Sequence, residues 1–207
     1  MELIAWGMIT VPERRGAAAA LCAELAVPVT VAVDRERDVL RNELRVLRRL
    51  LALGGGATWL VVLEDDIILC RDFVAEATAR LTDARATDKR IVSFYSARRV
   101  VAAATARGER WVRLQPRAFR NTQAVAWTPA LAAAFLAWAP ARLGAYRNWT
   151  DVLIGDFLAA RGEPMWLTAP SLVDHRTDLP STLGHPVRVG GRPRVAAAFL
   201  DHMRAAR

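Results

Sequence analysis

Lysine is almost missing from this 207-residue chain: Lys89 is the only one, so the net charge of +8 rests on arginine. Arginine together with abundant alanine matches a GC-rich coding sequence, so the choice of arginine over lysine says little about function. The net sign says more, because it favours polyanionic partners such as nucleotides, nucleic acid or acidic glycans. Cysteine is nearly as scarce. Cys22 and Cys70 lie in apolar contexts with no metal-type spacing, which excludes a disulfide scaffold and a zinc cluster and fits a reducing compartment. No G-x-G-x-x-G loop follows the first predicted strand and no Walker-type loop occurs, which disfavours a dinucleotide or P-loop site. The N-terminus has no basic leader or small-residue cleavage site, so no signal peptide is expected. The one long uncharged stretch, residues 121–141, opens on Asn121, Thr122 and Gln123 and is broken at Thr128-Pro129. A strand followed by a proline-started helix fits it better than a membrane span. The expectation is a soluble cytoplasmic protein.

The length and the 53% hydrophobic content suit one α/β domain with its own core. Its most informative stretch is Trp59-Leu60-Val61-Val62-Leu63-Glu64-Asp65-Asp66-Ile67-Ile68-Leu69, an apolar run carrying three consecutive acids. The run lacks helical periodicity and follows a Gly54-Gly55-Gly56 turn, as a central parallel strand would. Ligands of open α/β sheets gather at the carboxyl ends of strands, which is where Glu64, Asp65 and Asp66 fall. Adjacent carboxylates there serve either as a solvated turn or as the counter-charge for a divalent cation.

In chain order, residues 3–9 are predicted as a first strand, and the loop with Thr10 and Arg14 leads into a helix over 17–25. A second buried strand, 29–33, ends at Asp34, well placed to accept hydrogen bonds from a ribose or base. Leu40, Leu44, Leu47 and Leu51 set a helix over 39–53, and further helices are predicted near 72–84 and 129–138. Strands are predicted at 91–95, 122–127 and 165–168. The stretch from 107 to 120 gathers Arg107, Arg110, Arg113, Arg117 and Arg120 around Trp111 and Phe119. Arginines with exposed aromatics would suit phosphate contacts and base stacking; a solvated edge hairpin with buried aromatics has the same pattern. A helix starting at Thr150 as N-cap, with Asp151 in its first turn, stops at Gly162. Asp156 falls on another face of that helix and is a reserve candidate. Residues 179–194, rich in proline, glycine and arginine, form a predicted mobile loop, followed by a short amphipathic helix carrying Val195, Phe199 and Met203.

Glu64-Asp65-Asp66 resembles the acidic DxD motif of nucleotide-sugar glycosyltransferases of the GT-A fold. The order of strand, Asp34, helix and acidic triplet is similar to the nucleotide-binding half of those enzymes. Downstream, Asp151 matches the second acid of the pair that starts a helix closed by glycine in inverting members; Thr150 stands where the first acid would be. Pro170-Ser171-Leu172-Val173-Asp174-His175 is similar to a segment of the LPS-type and N-acetylglucosaminyl branching-type transferases.

The resemblance implies a single Rossmann-like GT-A domain, with a mostly parallel central sheet flanked by helices. Residues 1–70 would be the nucleotide-binding half, 71–178 the acceptor half, and 179–207 the closing loop and helix. It implies Mn²⁺, or Mg²⁺, held by Asp66 and His175, and a nucleoside-diphosphate sugar, such as a UDP-sugar, held by Thr10, Arg14, Asp34, Glu64 and Asp65. Asp151 would be the base that takes the acceptor's proton with inversion. The favoured acceptor is a hydroxymethylated pyrimidine in DNA, as for phage-type DNA-modifying glycosyltransferases, gripped by the arginines with Trp111 and Phe119; the alternative is a cell-surface glycan or LPS-type acceptor. A nucleotidyltransferase or a non-catalytic DNA-binding module are the readings from other classes.

Overall fold

The structure, a computed structural model, describes residues 2–146, 149–179, 188–189 and 192–205. Strand β1 (Ile4–Thr10) leads through a 3₁₀ turn at Pro12–Arg14 to helix α1 (Arg15–Leu25), β2 (Val29–Val33) and α2 (Val39–Leu53). The apolar run after the glycine turn divides at its acids into β3 (Trp59–Glu64) and a short β4 (Ile67–Leu69). Helix α3 (Phe73–Ala86), β5 (Ile91–Ser93), α4 (Arg99–Ala106) and β6 (Trp111–Leu114) follow. Then come β7 (Ala124–Trp127), α5 (Pro129–Trp138), α6 (Thr150–Arg161), β8 (Met165–Thr168) and β9 (Val173–His175). Arg188–Val189 and Arg192–Pro193 pair as β10 and β11, and α7 (Leu200–Ala205) follows.

Seven strands form a central sheet in the order β2-β1-β3-β7-β5-β8-β6. β2, β1 and β3 are parallel, as are β5 and β8, whereas β7 and β6 run against their neighbours. The sheet is thus mostly parallel and helix-covered on both faces, the Rossmann-like α/β architecture the sequence leads one to expect. The reversal at β7 matters for the site. Because β7 is antiparallel to β3, with Leu63 opposite Ala124, its entry segment arrives where β3 delivers its acids.

One face carries α2, α4, α5 and α6, and the other carries α1, α3 and the β4–β9 ribbon. Leu40, Leu44 and Leu47 of α2 are buried on the first face as their spacing dictates, and Leu50 is buried while Leu51 is only partly so. Asp38 caps α2 by accepting from the Arg41 N–H at 2.9 Å, a contact that contributes about 1 kcal/mol. Trp127 stacks on Phe135 at 5.1 Å, and Phe135 meets Phe157 at 5.2 Å, tying β7, α5 and α6 together. Helix α6 ends at Gly162 in the left-handed conformation (φ 68°), as its glycine predicts. Its Gly155 has a separate cause: a Cβ there would lie 2.7 Å from the Pro116 carbonyl oxygen, so only glycine lets α6 lie against the turn after β6. Trp149 takes the N-cap position expected of Thr150, whose hydroxyl is buried and has no hydrogen-bond partner among the described residues. No described helix is long and apolar enough to cross a membrane.

Candidate functional site

The acids sit at the carboxyl end of β3, as the sheet's polarity requires. Glu64 closes the strand, its N–H donating to the Gln123 carbonyl at 2.9 Å, and Asp65-Asp66 form the turn into β4. β4 pairs antiparallel with β9, Ile67 opposite His175, and this ribbon sets His175 Nε2 3.5 Å from Asp66 Oδ2. A separation of more than a hundred residues in sequence is closed by three ladder pairs.

The loop after β1 reaches the same acids from the other side. Thr10 Oγ1 donates to Asp65 Oδ2 at 2.5 Å, and Arg14 Nη1 donates to Asp65 Oδ1 at 2.9 Å and Asp66 Oδ2 at 3.2 Å. Asp34, next along the sheet edge, donates its backbone N–H to the Thr10 carbonyl at 2.7 Å. Its Oδ1 accepts from the Glu36 N–H at 3.0 Å, while Oδ2 is buried without a hydrogen-bond partner among the described residues. Thr10, Arg14, Asp34, Glu64, Asp65, Asp66 and His175 therefore line one edge of the sheet.

Asp151 is joined to this edge through the entry to β7. The Asn121 N–H donates to Asp151 Oδ2 at 3.2 Å and the Val152 N–H to Oδ1 at 2.8 Å, so both oxygens are oriented by backbone. The next residue, Thr122, donates its hydroxyl to Glu64 Oε1 at 2.5 Å. Consecutive residues thus touch the helix acid and the strand acid. Asn121 does so in a left-handed backbone conformation (φ 84°) that few non-glycine residues adopt. With its amide oxygen and nitrogen exchanged, Asn121 donates to the Arg120 carbonyl at 2.9 Å and accepts from Arg194 Nη2 at 3.0 Å, bringing the C-terminal segment to the same place.

The electrostatics divide the triplet. Burial alone would raise the Asp66 carboxyl, but His175 and Arg14 outweigh it and hold Asp66 below the ordinary aspartate range. Asp65 is raised by burial despite Thr10 and Arg14. Glu64 is pushed up to about 8 by burial and by Asp66, against the Thr122 hydrogen bond. Asp66 is therefore the acid best kept ionised. Two buried atoms beside it, Asp66 Oδ1 and His175 Nδ1, lack a hydrogen-bond partner among the described residues.

Sequence reasoning missed Glu43. It is buried in α2, its carboxyl pushed up to about 8 by burial, and it adds to the upward shift of Glu64. The signal was there: position 43 is three residues after Leu40 and four before Leu47, on the apolar stripe. The unfolded chain ionises this group near the ordinary glutamate value of 4.5. The stability from keeping it neutral is thus complete below that pH and is lost as pH rises to about 8. Glu43→Gln, neutral at every pH, should melt progressively above wild type between pH 5 and 8.5, gaining about 2–4 °C for each kcal/mol. An offset in Tm that does not change with pH would contradict this.

The arginine run divides: Arg110 and Arg113 lie at or beside β6, away from the acids, whereas Arg117 and Arg120 lead up to Asn121. β6 is an edge strand, four strand spacings or about 19 Å from β3. Phe119 is fully buried, and Trp111 is partly buried with its indole N–H donating to Asp83 at 2.5 Å, so the expected pair of exposed stacking aromatics is absent. Arg107 pairs with Glu109 at 2.6 Å, Arg117 with Asp156 at 3.0 Å, and Arg120 donates to the Arg117 carbonyl at 3.0 Å; Arg110 and Arg113 stay exposed. The periodicity of a short amphipathic stretch does not say which way its aromatics turn. Asp156, held by Arg117 and by the Tyr146 hydroxyl at 2.7 Å, belongs to this surface network.

Of the predicted closing loop, residues 180–187 and 190–191 lie outside the described residues. The segment after it is docked: the Ala196 N–H donates to Asp174 Oδ1 at 2.6 Å, Ala197 to the Ser96 carbonyl at 2.9 Å and Leu200 to the Ser171 carbonyl at 3.0 Å.

No protein-family model matches the chain, and no curated protein matches it by sequence. Among solved structures, A197 from STIV is similar over 82% of this chain and 85% of its own, at 13% identity and a TM-score of 0.51. Mannose-1-phosphate geranyltransferase from Thermus thermophilus aligns over 79% of this chain and 73% of its own, at 16% identity and a TM-score of 0.38, too loose to carry an argument. The first likeness bears on the fold alone.

Proposed function

We propose that the chain is a glycosyltransferase that binds a nucleoside-diphosphate sugar at the carboxyl edge of β1, β2 and β3 and passes the sugar to an acceptor hydroxyl. The observation that carries this reading is the convergence of Asp34, Asp65, Asp66, His175 and Asp151 on one edge, with Asp66 Oδ1, His175 Nδ1 and Asp34 Oδ2 buried and unpartnered among the described residues. Unpaired buried polar atoms are costly, and a ligand that satisfies them removes the cost.

The residues fit a divalent cation in a limited way. No three His, Cys, Asp or Glu side chains converge as a metal-binding group among the described residues. Asp66 and His175 would supply two donors, in keeping with Mg²⁺ and Mn²⁺ sites completed by substrate phosphates and water. Bound there, the ion would supply Lewis-acid neutralisation of a departing diphosphate. The chain's own groups do the rest. Asp34 accepts from the ribose or base, Thr10 and Asp65 fix the loop over the diphosphate, and Asp151, its oxygens aimed by Asn121 and Val152, takes the proton from the attacking hydroxyl.

The acceptor that the geometry supports is a glycan hydroxyl. Trp149 stands 61% exposed two residues before Asp151, offering a flat apolar face to a sugar ring beside the base. A base in DNA would present a similar ring, but the two aromatics expected to stack on it are not free to do so, Phe119 being buried and Trp111 partly buried and held by Asp83. Thermal shift against nucleoside diphosphates with Mn²⁺ tests the donor: a rise in Tm that needs both ligands is expected, and its absence across uridine, guanosine and cytidine diphosphates would remove the reading. Duplex DNA at low salt tests the acceptor, since tight, salt-sensitive binding would restore the DNA alternative.

A further inference from the structure

We infer that Arg14 is an exchangeable counter-ion: it holds Asp65 and Asp66 while no donor is present, and turns onto the donor's diphosphate when that ligand arrives, which releases Asp66 to a divalent cation. The inference rests on the reading of Asp66 as a metal ligand given above.

Three features support it. A single atom, Arg14 Nη1, touches both carboxylates, at 2.9 and 3.2 Å, and the side chain is 9% exposed, so the guanidinium stands where a cation serving both acids would stand. The Asp66 oxygen that faces His175 Nε2 is Oδ2, the one Arg14 holds at 3.2 Å, so a dication shared by Asp66 and His175 and the guanidinium would repel one another there, and one must give way. Next, the acids are built to survive its departure. Asp65 keeps the Thr10 hydroxyl on its other oxygen, and Asp66 keeps His175 at 3.5 Å. Last, Arg14 ends the 3₁₀ turn at Pro12–Arg14 and caps α1, in the loop leaving β1 at the carboxyl edge of the sheet, along which a nucleotide's phosphates lie in doubly wound folds. The planar guanidinium accepts phosphate as readily as carboxylate, so the exchange trades one charge-assisted hydrogen bond for another.

The consequence is mutual tightening of metal and diphosphate: each removes an obstacle to the other, and the two effects are equal by linkage. The test measures Mn²⁺ binding to the full chain by electron paramagnetic resonance, with and without UDP, in wild type, Arg14→Gln, Arg14→Lys and Asp66→Asn, each checked for folding by circular dichroism. Arg14→Gln should bind Mn²⁺ alone about tenfold more tightly than wild type, whereas UDP should tighten Mn²⁺ binding about tenfold more in wild type than in the variant, where only coordination of the ion by the phosphates remains. Arg14→Lys, which keeps the charge but lacks the second nitrogen with which a guanidinium grips phosphate, should fall between and replaces the glutamine variant if that fails to fold. Equal Mn²⁺ affinity of wild type and Arg14→Gln, with Asp66→Asn abolishing binding, overturns the exchange and leaves the metal reading standing. Undiminished binding in Asp66→Asn, or no Mn²⁺ binding in any protein with or without UDP, overturns both.

Discussion

Asp66→Ala is expected to lower Mn²⁺-dependent turnover of a nucleoside-diphosphate sugar by about 10²–10³-fold, measured as hydrolysis or as transfer once an acceptor is known. The size follows from where Asp66 stands. It is the member of the triplet whose carboxyl is held ionised, by His175 and Arg14 against burial, and its Oδ1 is buried without a hydrogen-bond partner among the described residues. Removing it leaves Arg14 with Asp65 and deprives His175 of its carboxylate. Glu64→Gln should do far less, because burial, with Asp66 beside it, pushes Glu64 up to about 8 and keeps it largely neutral at pH 7, where the amide resembles it. Equal losses in the two variants would show that the triplet acts as a block of charge, and full activity in Asp66→Ala would sink the proposed function.

Asp151→Asn is the second large effect. The substitution keeps the shape of the side chain and the Thr150–Arg161 helix, but removes the capacity to take a proton, so kcat for transfer should fall by about 10²–10⁴-fold. Donor affinity should stay within about twofold, since the resting contacts of Asp151 are the backbone N–H groups of Asn121 and Val152. A split of this kind, in kcat and not in donor binding, separates a base from an acid that merely stabilises a helix terminus. Retained transfer would leave Asp151 with the capping role alone and turn attention to a retaining mechanism.

Much of the acidic edge was legible from local pattern. The β3 run, the glycine turn before it, the leucine spacing of α2 and the Gly162 stop are short-range signals, and each produced the element it predicts. Asp34 and the triplet were found because a buried strand in an α/β sheet delivers its next residues to the ligand edge. Helix α4 went unread, and β7 gave no sign of its direction, since four apolar residues look alike parallel or antiparallel. That direction put Asn121 and Thr122 between Asp151 and Glu64, contacts that no spacing rule contains.

The sequence by itself determined the class of the molecule and the identity of its acids, because periodicity, turn residues and strand polarity are written in neighbouring positions. Only the tertiary structure decided their company. It brought Arg14 onto Asp65 and Asp66, set His175 beside Asp66 through the β4–β9 ribbon, buried Phe119 and put β6, with Arg113, at the far edge. Each of these depends on which strands are neighbours and which face a side chain takes, and both are settled by the packing of segments far apart in the chain.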